Sequence, residues 1–304
     1  MMKGKKLKKG DTIGIVAPAN SASKEEILMG KKKIEELGYK VVLSENIFNV
    51  WYSFAGKDGD RISDINNFFA DPNIDAIICL RGGYGSIRMI EKLDVEVVKK
   101  NPKIFVGYSD ITTLHGKLNR EAKLITFHGP MVVSNYLDMD KFTLQSFLQM
   151  VENTEGGIIE NPVPLKKMNG GVAIGEVVGG NLITFMGDMG TPNQLDLEDK
   201  ILFIEEIGES TYKIDRALTQ LLNSGELNKI NGIILGDFNN CEKAGETDIA
   251  LLELFKDRLV GLDIPIIYNF KSGHCKPMVT LPLGAKIKLD CDNLTIETLE
   301  GTVK

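Results

Sequence analysis

Residues 103–118, KIFVGYSDITTLHGKL, run from an apolar stretch directly into a serine and an aspartate, then continue with helical periodicity. Ile104 to Val106 read as a buried strand, Gly107 breaks it, and Ser109 stands where strand gives way to helix. A hydroxyl at such a turn has two uses. It can cap the helix, the simpler account on local sequence alone, because Ser and Asp favour helix starts for hydrogen-bonding reasons. It can also present a nucleophile, with the first helical amides aimed at a developing oxyanion. GYSD lacks the second glycine of G-x-S-x-G, so the motif does not choose between the two.

Three further stretches carry groups of chemical interest. RGGYGS, residues 81–86, follows the strand-like DAIICL, and its glycines let the backbone approach a ligand closely. It has no GK[ST], so it is not a P-loop, and a tight turn without ligand explains it equally well. FIEEIGES places Glu205 and Glu206 at the end of an apolar strand. Neighbouring strand residues face opposite ways, so only one of them can enter a shared site, and both being solvated is the plain alternative. KSGHCKPMVTLPLG sets His274 in a loop containing Gly and Pro, whereas His115 falls on a helix and His128 just after a strand, where packing accounts for each. A serine hydroxyl needs a nearby base, histidine suits that role, and a carboxylate fixes the imidazole tautomer. The chain therefore supplies the parts for nucleophilic acyl transfer, each on a loop at a strand end.

The elements that must position these groups alternate. TIGIVAPA is a strand; Ser23 and Glu26 have capping-box spacing, Ile27, Ile34 and Leu37 share a helical face, and Gly38 stops the helix. KVVL, RISDINNFF, DAIICL, IRMIEKL, KIFVGY and LITFHG continue the strand–helix alternation. This pattern predicts an α/β fold with a doubly wound, mostly parallel sheet, whose working groups gather beyond the carboxyl ends of the strands. Residues 152–171, rich in Gly, Pro and Asn, read as a linker. The expected domains are thus 1–151, carrying Ser109, and a β-rich α/β domain at 172–304, carrying Glu205 and His274, which ends in the hairpin-like pair AKIKLD and LTIETL.

At 304 residues the chain is longer than one modest core requires, which favours two domains. A net charge of −6 argues against a protein that grips nucleic acid. No apolar run is long enough for a signal segment or a membrane span, and the four cysteines lack CxxC spacing, so a cytoplasmic protein with free thiols is expected. The three histidines show no zinc-binding spacing.

RGGYGSIRMIEKLD, VGYSDIT, TFHGPM, GGNL, LFIEEIGESTYKIDRAL and GHCKPMVTLPLG follow one another in an order that resembles the bacterial LD-carboxypeptidases, a serine peptidase family that also contains the microcin C immunity peptidases. The resemblance runs from GDTIGIVAPA to TLPLGAKIKLD. It implies a Ser-Glu-His triad that falls on Ser109, Glu205 and His274, with Glu205 preferred over Glu206 as the first acidic residue after LFI. It implies cleavage of an LD amide bond, the release of terminal D-alanine from murein tetrapeptides, a small muropeptide as partner, and a homodimer. The backbone amides of Asp110 and of Gly82 or Gly83 are then the expected oxyanion donors, and Arg81 and Tyr84 the expected substrate contacts. The chemistry requires no metal or organic cofactor. Two rivals stand beside this reading: a peptidase that cuts a peptidyl-nucleotide antibiotic, and a non-catalytic α/β protein binding a small ligand at RGGYG.

Overall fold

A computed structural model of the chain describes residues 1–241, 245 and 248–304. The first part runs β1 (Thr12–Val16), α1 (Lys24–Glu36), β2 (Lys40–Leu43), α2 (Asp58–Ala70), β3 (Ala76–Cys79), α3 (Val95–Lys100), β4 (Ile104–Gly107), α4 (Thr112–Arg120), β5 (Thr126–His128) and α5 (Lys141–Glu152). The second runs β6 (Gly157–Ile158), β7 (Lys166–Asn169), β8 (Val172–Asn181), α6 (Leu182–Gly187), β9 (Ile201–Ile207), α7 (Thr211–Asn223), β10 (Gly232–Asn239), α8 (Leu251–Leu259), β11 (Ile266–Tyr268), β12 (Leu281–Leu283), β13 (Lys286–Asp290) and β14 (Thr295–Thr298).

The first sheet has the order β12-β5-β4-β3-β1-β2, and β1 to β5 pair in parallel. Its central strands β3 and β4 are buried at every position, as expected where helices cover both faces. The Ser23 hydroxyl and the Glu26 carboxylate form the anticipated capping box at the start of α1. The second sheet has the order β6-β14-β13-β8-β9-β10-β11-β7; β8 to β11 are parallel and the outer strands antiparallel.

Three local expectations change. The Gly- and Pro-rich stretch 152–171 contains β6 and β7, which bond to β14 and β11 inside the second sheet. IRMIEKL forms two 3₁₀ turns, Ser86–Arg88 and Ile90–Lys92, between Gly85, at φ +130°, and the Asp94 cap of α3. TLPL is a strand: β12 leaves the second half of the chain and pairs antiparallel with β5, in the first sheet. That crossing ties the loop holding His274 to the sheet that holds Ser109.

A second tie is made by GGNL. Gly179 and Gly180 end β8 at φ +120° and +142°. A Cβ on Gly179 would lie 2.0 Å from the Phe203 carbonyl oxygen in β9, and one on Gly180 would lie 2.5 Å from Thr112 Oγ1 in α4. Their absence lets the Asn181 amide donate to Thr112 Oγ1 at 3.0 Å, fastening the second sheet to the helix that follows Ser109. Gly180→Ala is expected to lower unfolding stability by about 1–3 kcal/mol through backbone strain and overpacking. Urea denaturation checks this, and an unchanged midpoint would contradict it.

Candidate active site

Ser109 follows β4 and begins a 3₁₀ turn that leads into α4. Its φ of +64° is left-handed, a region an L-residue with a polar side chain enters only when its surroundings hold it there. Gly107 permits the sharp return: a Cβ there would meet Ile111 Cγ2 at 2.8 Å. His115 holds the turn from behind. Its Nε2 donates to the Gly107 carbonyl at 2.9 Å, so Nδ1 is the acceptor for the Thr126 hydroxyl at 2.8 Å. Burial pushes the His115 pKa down to about 4, which keeps the ring neutral. His128 is also buried and neutral, packed against Tyr108 and Phe203 with neither ring nitrogen bonded among the described residues. Both histidines are structural.

The RGGYGS loop lies against the serine. A Cβ on Gly82 would stand 2.9 Å from Ser109 Cβ, 3.0 Å from its Oγ and 3.6 Å from the Asp110 amide nitrogen. Among the described residues, Asp110, at the start of the turn, has no helical partner for its amide, and neither Gly82 nor Gly83 donates a backbone hydrogen bond. The Asp110 side chain has a separate task that the sequence does not announce. It is buried, and its carboxylate accepts from the Gly85 amide at 3.2 Å and the Ser86 amide at 2.8 Å. Burial raises its carboxyl above the ordinary range, while those two amides hold it back. Asn20 is a second contributor that goes unread in the sequence: its amide donates to the Gly82 carbonyl, and its side-chain oxygen accepts from the Tyr84 amide at 3.2 Å. Arg81 is half-buried and makes no hydrogen bond or ion pair among the described residues, although its charge reaches Glu26. The Tyr84 side chain is exposed.

Strand alternation separates the two glutamates. Glu206 is consumed by structure: Oε1 accepts from Asn181 Nδ2 at 2.7 Å and the Ile207 amide at 2.8 Å, and Oε2 accepts from the Ile183 amide at 2.9 Å. Glu205 points the other way, is 0% exposed, and accepts from His274 Nδ1 at 2.8 Å. Its Oε1 has no partner among the described residues. His274 sits in the β11–β12 loop, whose Gly273, at φ +124°, is obligatory: a Cβ would approach Glu205 Oε2 to 2.5 Å. Asn239 Nδ2 donates to the His274 carbonyl at 2.7 Å and fixes the loop from β10.

With Nδ1 donating to the carboxylate, His274 Nε2 is the free lone pair. The His274 ring packs edge-on against Tyr108, the residue before Ser109, with centroids 5.0 Å apart. No hydrogen bond joins the Ser109 hydroxyl to His274 here. Burial lowers the His274 pKa, but the Glu205 hydrogen bond and charge outweigh it and leave the imidazole above its ordinary value. A cavity of about 370 Å³ opens beside the ring, lined by Tyr108, Asn135, Asp140, Thr143, His274 and Cys275 among others. The arrangement thus offers a strained serine, an oriented imidazole with a cavity beside it, a buried carboxylate, and amides at residues 82, 83 and 110 without partners among the described residues.

Two outcomes follow from this geometry. A base must be neutral, so kcat/KM is expected to climb with pH through a midpoint above about 6.5. Glu205→Gln removes the charge that retains the proton; the midpoint should fall while kcat drops about 10⁴-fold. A pH–rate profile with an unmoved midpoint would contradict the assignment. Gly82→Ala should displace the serine and lower kcat about 10²-fold, measured by steady-state kinetics, with near-normal turnover as the contrary result.

Comparison with known proteins places this geometry in context. Residues 13–129 match the LD-carboxypeptidase N-terminal domain and residues 174–289 the LD-carboxypeptidase C-terminal domain. The chain is 38% identical to a probable murein peptide carboxypeptidase of Bacillus subtilis, over 95% of this chain and 91% of that protein. It is 30% identical to the Escherichia coli microcin C7 self-immunity protein MccF, over 96% of this chain and 94% of that protein. The solved wild-type MccF structure superposes with a TM-score of 0.91 at 27% identity, covering 100% of both chains. A muramoyltetrapeptide carboxypeptidase from Oxalobacter formigenes gives a TM-score of 0.81 at 29% identity, covering 94% of this chain and 97% of that one. Two matched domains in the right order, supported by relatives spanning almost the whole length, make this chain a member of the LD-carboxypeptidase family and a serine-type carboxypeptidase hydrolase.

Proposed function

We propose that the protein removes the terminal D-alanine from murein tetrapeptides by cleaving an LD amide bond, acting as a cytoplasmic homodimer in cell-wall recycling. The observation that carries the mechanism is the buried Glu205–His274 hydrogen bond, which leaves Nε2 free beside the turn of Ser109. The 38% identity to the murein peptide carboxypeptidase supports the substrate, and four free cysteines fit a reducing compartment.

Ser109 Oγ attacks the carbonyl carbon of the penultimate residue as its proton passes to His274 Nε2. The carbonyl electrons move onto oxygen, where the Asp110 amide and the Gly82 or Gly83 amide donate to it. Glu205 stabilises the imidazolium formed in that step. When the intermediate collapses, the C–N bond breaks, His274 protonates the leaving amine, and D-alanine departs. Water then attacks the acyl-enzyme, giving its proton to His274, and the Ser109 hydroxyl is restored. Arg81, a guanidinium without an ion-pair partner among the described residues, is the group we assign to the substrate's terminal carboxylate. The triad is divided between functional halves 1–151 and 172–304, so their packing assembles the site.

A second reading has its own support. MccF superposes more closely, at 0.91 against 0.81, although the murein peptide carboxypeptidase is nearer in sequence. Fold superposition reports backbone similarity, whereas substrate choice rests on side chains, so the sequence relation weighs more. Incubation with murein tetrapeptide, followed by mass spectrometry, should yield tripeptide and alanine. Intact tetrapeptide alongside cleavage of a peptidyl-nucleotide would transfer the assignment to the second reading.

Ser109→Ala should reduce kcat at least about 10³-fold with folding intact. Ser109→Gly should be equally inactive yet more stable by about 1 kcal/mol, because glycine relieves the positive φ. Thermal melts beside the kinetics test both, and substantial turnover by either variant would remove Ser109 from the mechanism.

A further inference from the structure

The RGGYGS loop continues outward into a set of aromatic rings that no step above uses. Trp51 and Phe54 stack with centroids 5.6 Å apart, Tyr52 lies edge-on to Trp51 at 5.3 Å, and Tyr84 lies 5.8 Å from Phe54. Tyr52 is 84% exposed and Tyr84 53% exposed, a large apolar area to leave facing water. The rings do not hang from a loose loop. The Trp51 and Phe54 backbones exchange hydrogen bonds at 3.0 Å, Ser21 donates to Ser53, and Ala55 donates to Ala19. Those contacts fix the segment to residues 19–21, and Asn20 in turn holds Gly82 and Tyr84. The platform is therefore preorganised relative to Ser109. Arg88 borders it, its guanidinium over Trp51 and Phe54 at 5.7 and 5.3 Å, and its Nε donates to Asp58 at 3.1 Å.

We propose that Trp51, Tyr52, Phe54 and Tyr84, edged by Arg88 and Asp58, form a subsite for the muramoyl sugar of the substrate, an inference that rests on the muropeptide reading. The exposed rings of Tyr52 and Tyr84 suit the C–H face of a pyranose, Trp51 and Phe54 back them beneath Arg88, with Arg61 also over Phe54, and the charged pair suits the sugar's rim of hydroxyl and carbonyl groups. Tyr84 stands two residues from Gly82, where a Cβ would lie 2.9 Å from Ser109 Cβ, and Phe54 packs against Tyr84, so the platform adjoins the loop that borders the nucleophile. A flat protein-binding patch would have no reason to share Asn20 with the oxyanion loop.

Trp51 is the chain's single tryptophan, so its emission reports on this site alone. Titration of the intact protein with N-acetylmuramic acid, free of peptide, should shift that emission saturably. In parallel, Trp51→Ala should raise KM for muramoyl-tetrapeptide about tenfold, and by at least several times more than KM for free tetrapeptide. Trp51→Phe keeps a ring and should recover part of the loss, while thermal melts of both variants confirm folding. Equal KM changes on the two peptides, or no emission response to the sugar, would overturn the subsite. So would a Trp51→Ala protein whose only change is its oligomeric state. Failure of the tetrapeptide reading is distinguishable: the wild type would then cut neither peptide while its emission still followed the sugar.

Discussion

Glu205 is a carboxylate with no exposure to solvent, and its one hydrogen bond among the described residues is to His274. An isolated buried charge is costly, so the protein must keep an imidazole in place to offset it. The backbone is shaped to that end. Gly273 allows the histidine loop to lie on the carboxylate, and Gly236 does the same from β10, where a Cβ would come within 2.7 Å of the Ser272 carbonyl oxygen and 3.0 Å of Glu205 Cβ. The unpartnered Oε1 sharpens the demand, because among the described residues the carboxylate has no other donor to share its charge. The same contact that stabilises the buried acid leaves His274 Nε2 as the free nitrogen.

Around that contact the fold is organised by crossings between its two sheets. β12 carries the end of the histidine loop into the first sheet, and the Asn181–Thr112 bond presses β8 onto the helix that follows Ser109. Neither crossing touches the reacting atoms. Both limit how far the halves of the site can separate, and effective catalysis depends on reacting groups being held close and aligned. Glu206 belongs to this framework: its carboxylate joins Asn181, Ile183 and Ile207, next to the glutamate that faces the histidine.

Much of this was legible in the chain because strand ends, glycines and alternation are local signals. Ser109 after IFVG, the RGGYG loop and the opposed faces of Glu205 and Glu206 all follow from a few consecutive residues. The expected capping box at Ser23 and Glu26 is local in the same sense. What stayed hidden depends on distant partners. Asp110 reads as a helix-start residue until its carboxylate is found holding the amides of residues 85 and 86, and Asn20 reads as a turn residue until it is found bridging to Gly82 and Tyr84. The strands at 157–158, 166–169 and 281–283 are short and rich in turn-forming neighbours, so pairing alone makes them strands.

The central claim is that Ser109 is the nucleophile and His274 its base. Active-site labelling with a fluorophosphonate, read by peptide-mapping mass spectrometry, tests it most directly, because the reagent bonds to a serine activated by a neighbouring base. The account predicts one phosphonyl group, on Ser109, and its loss in a His274→Ala protein. Labelling at another residue, or undiminished labelling of Ser109 without the imidazole, would contradict it.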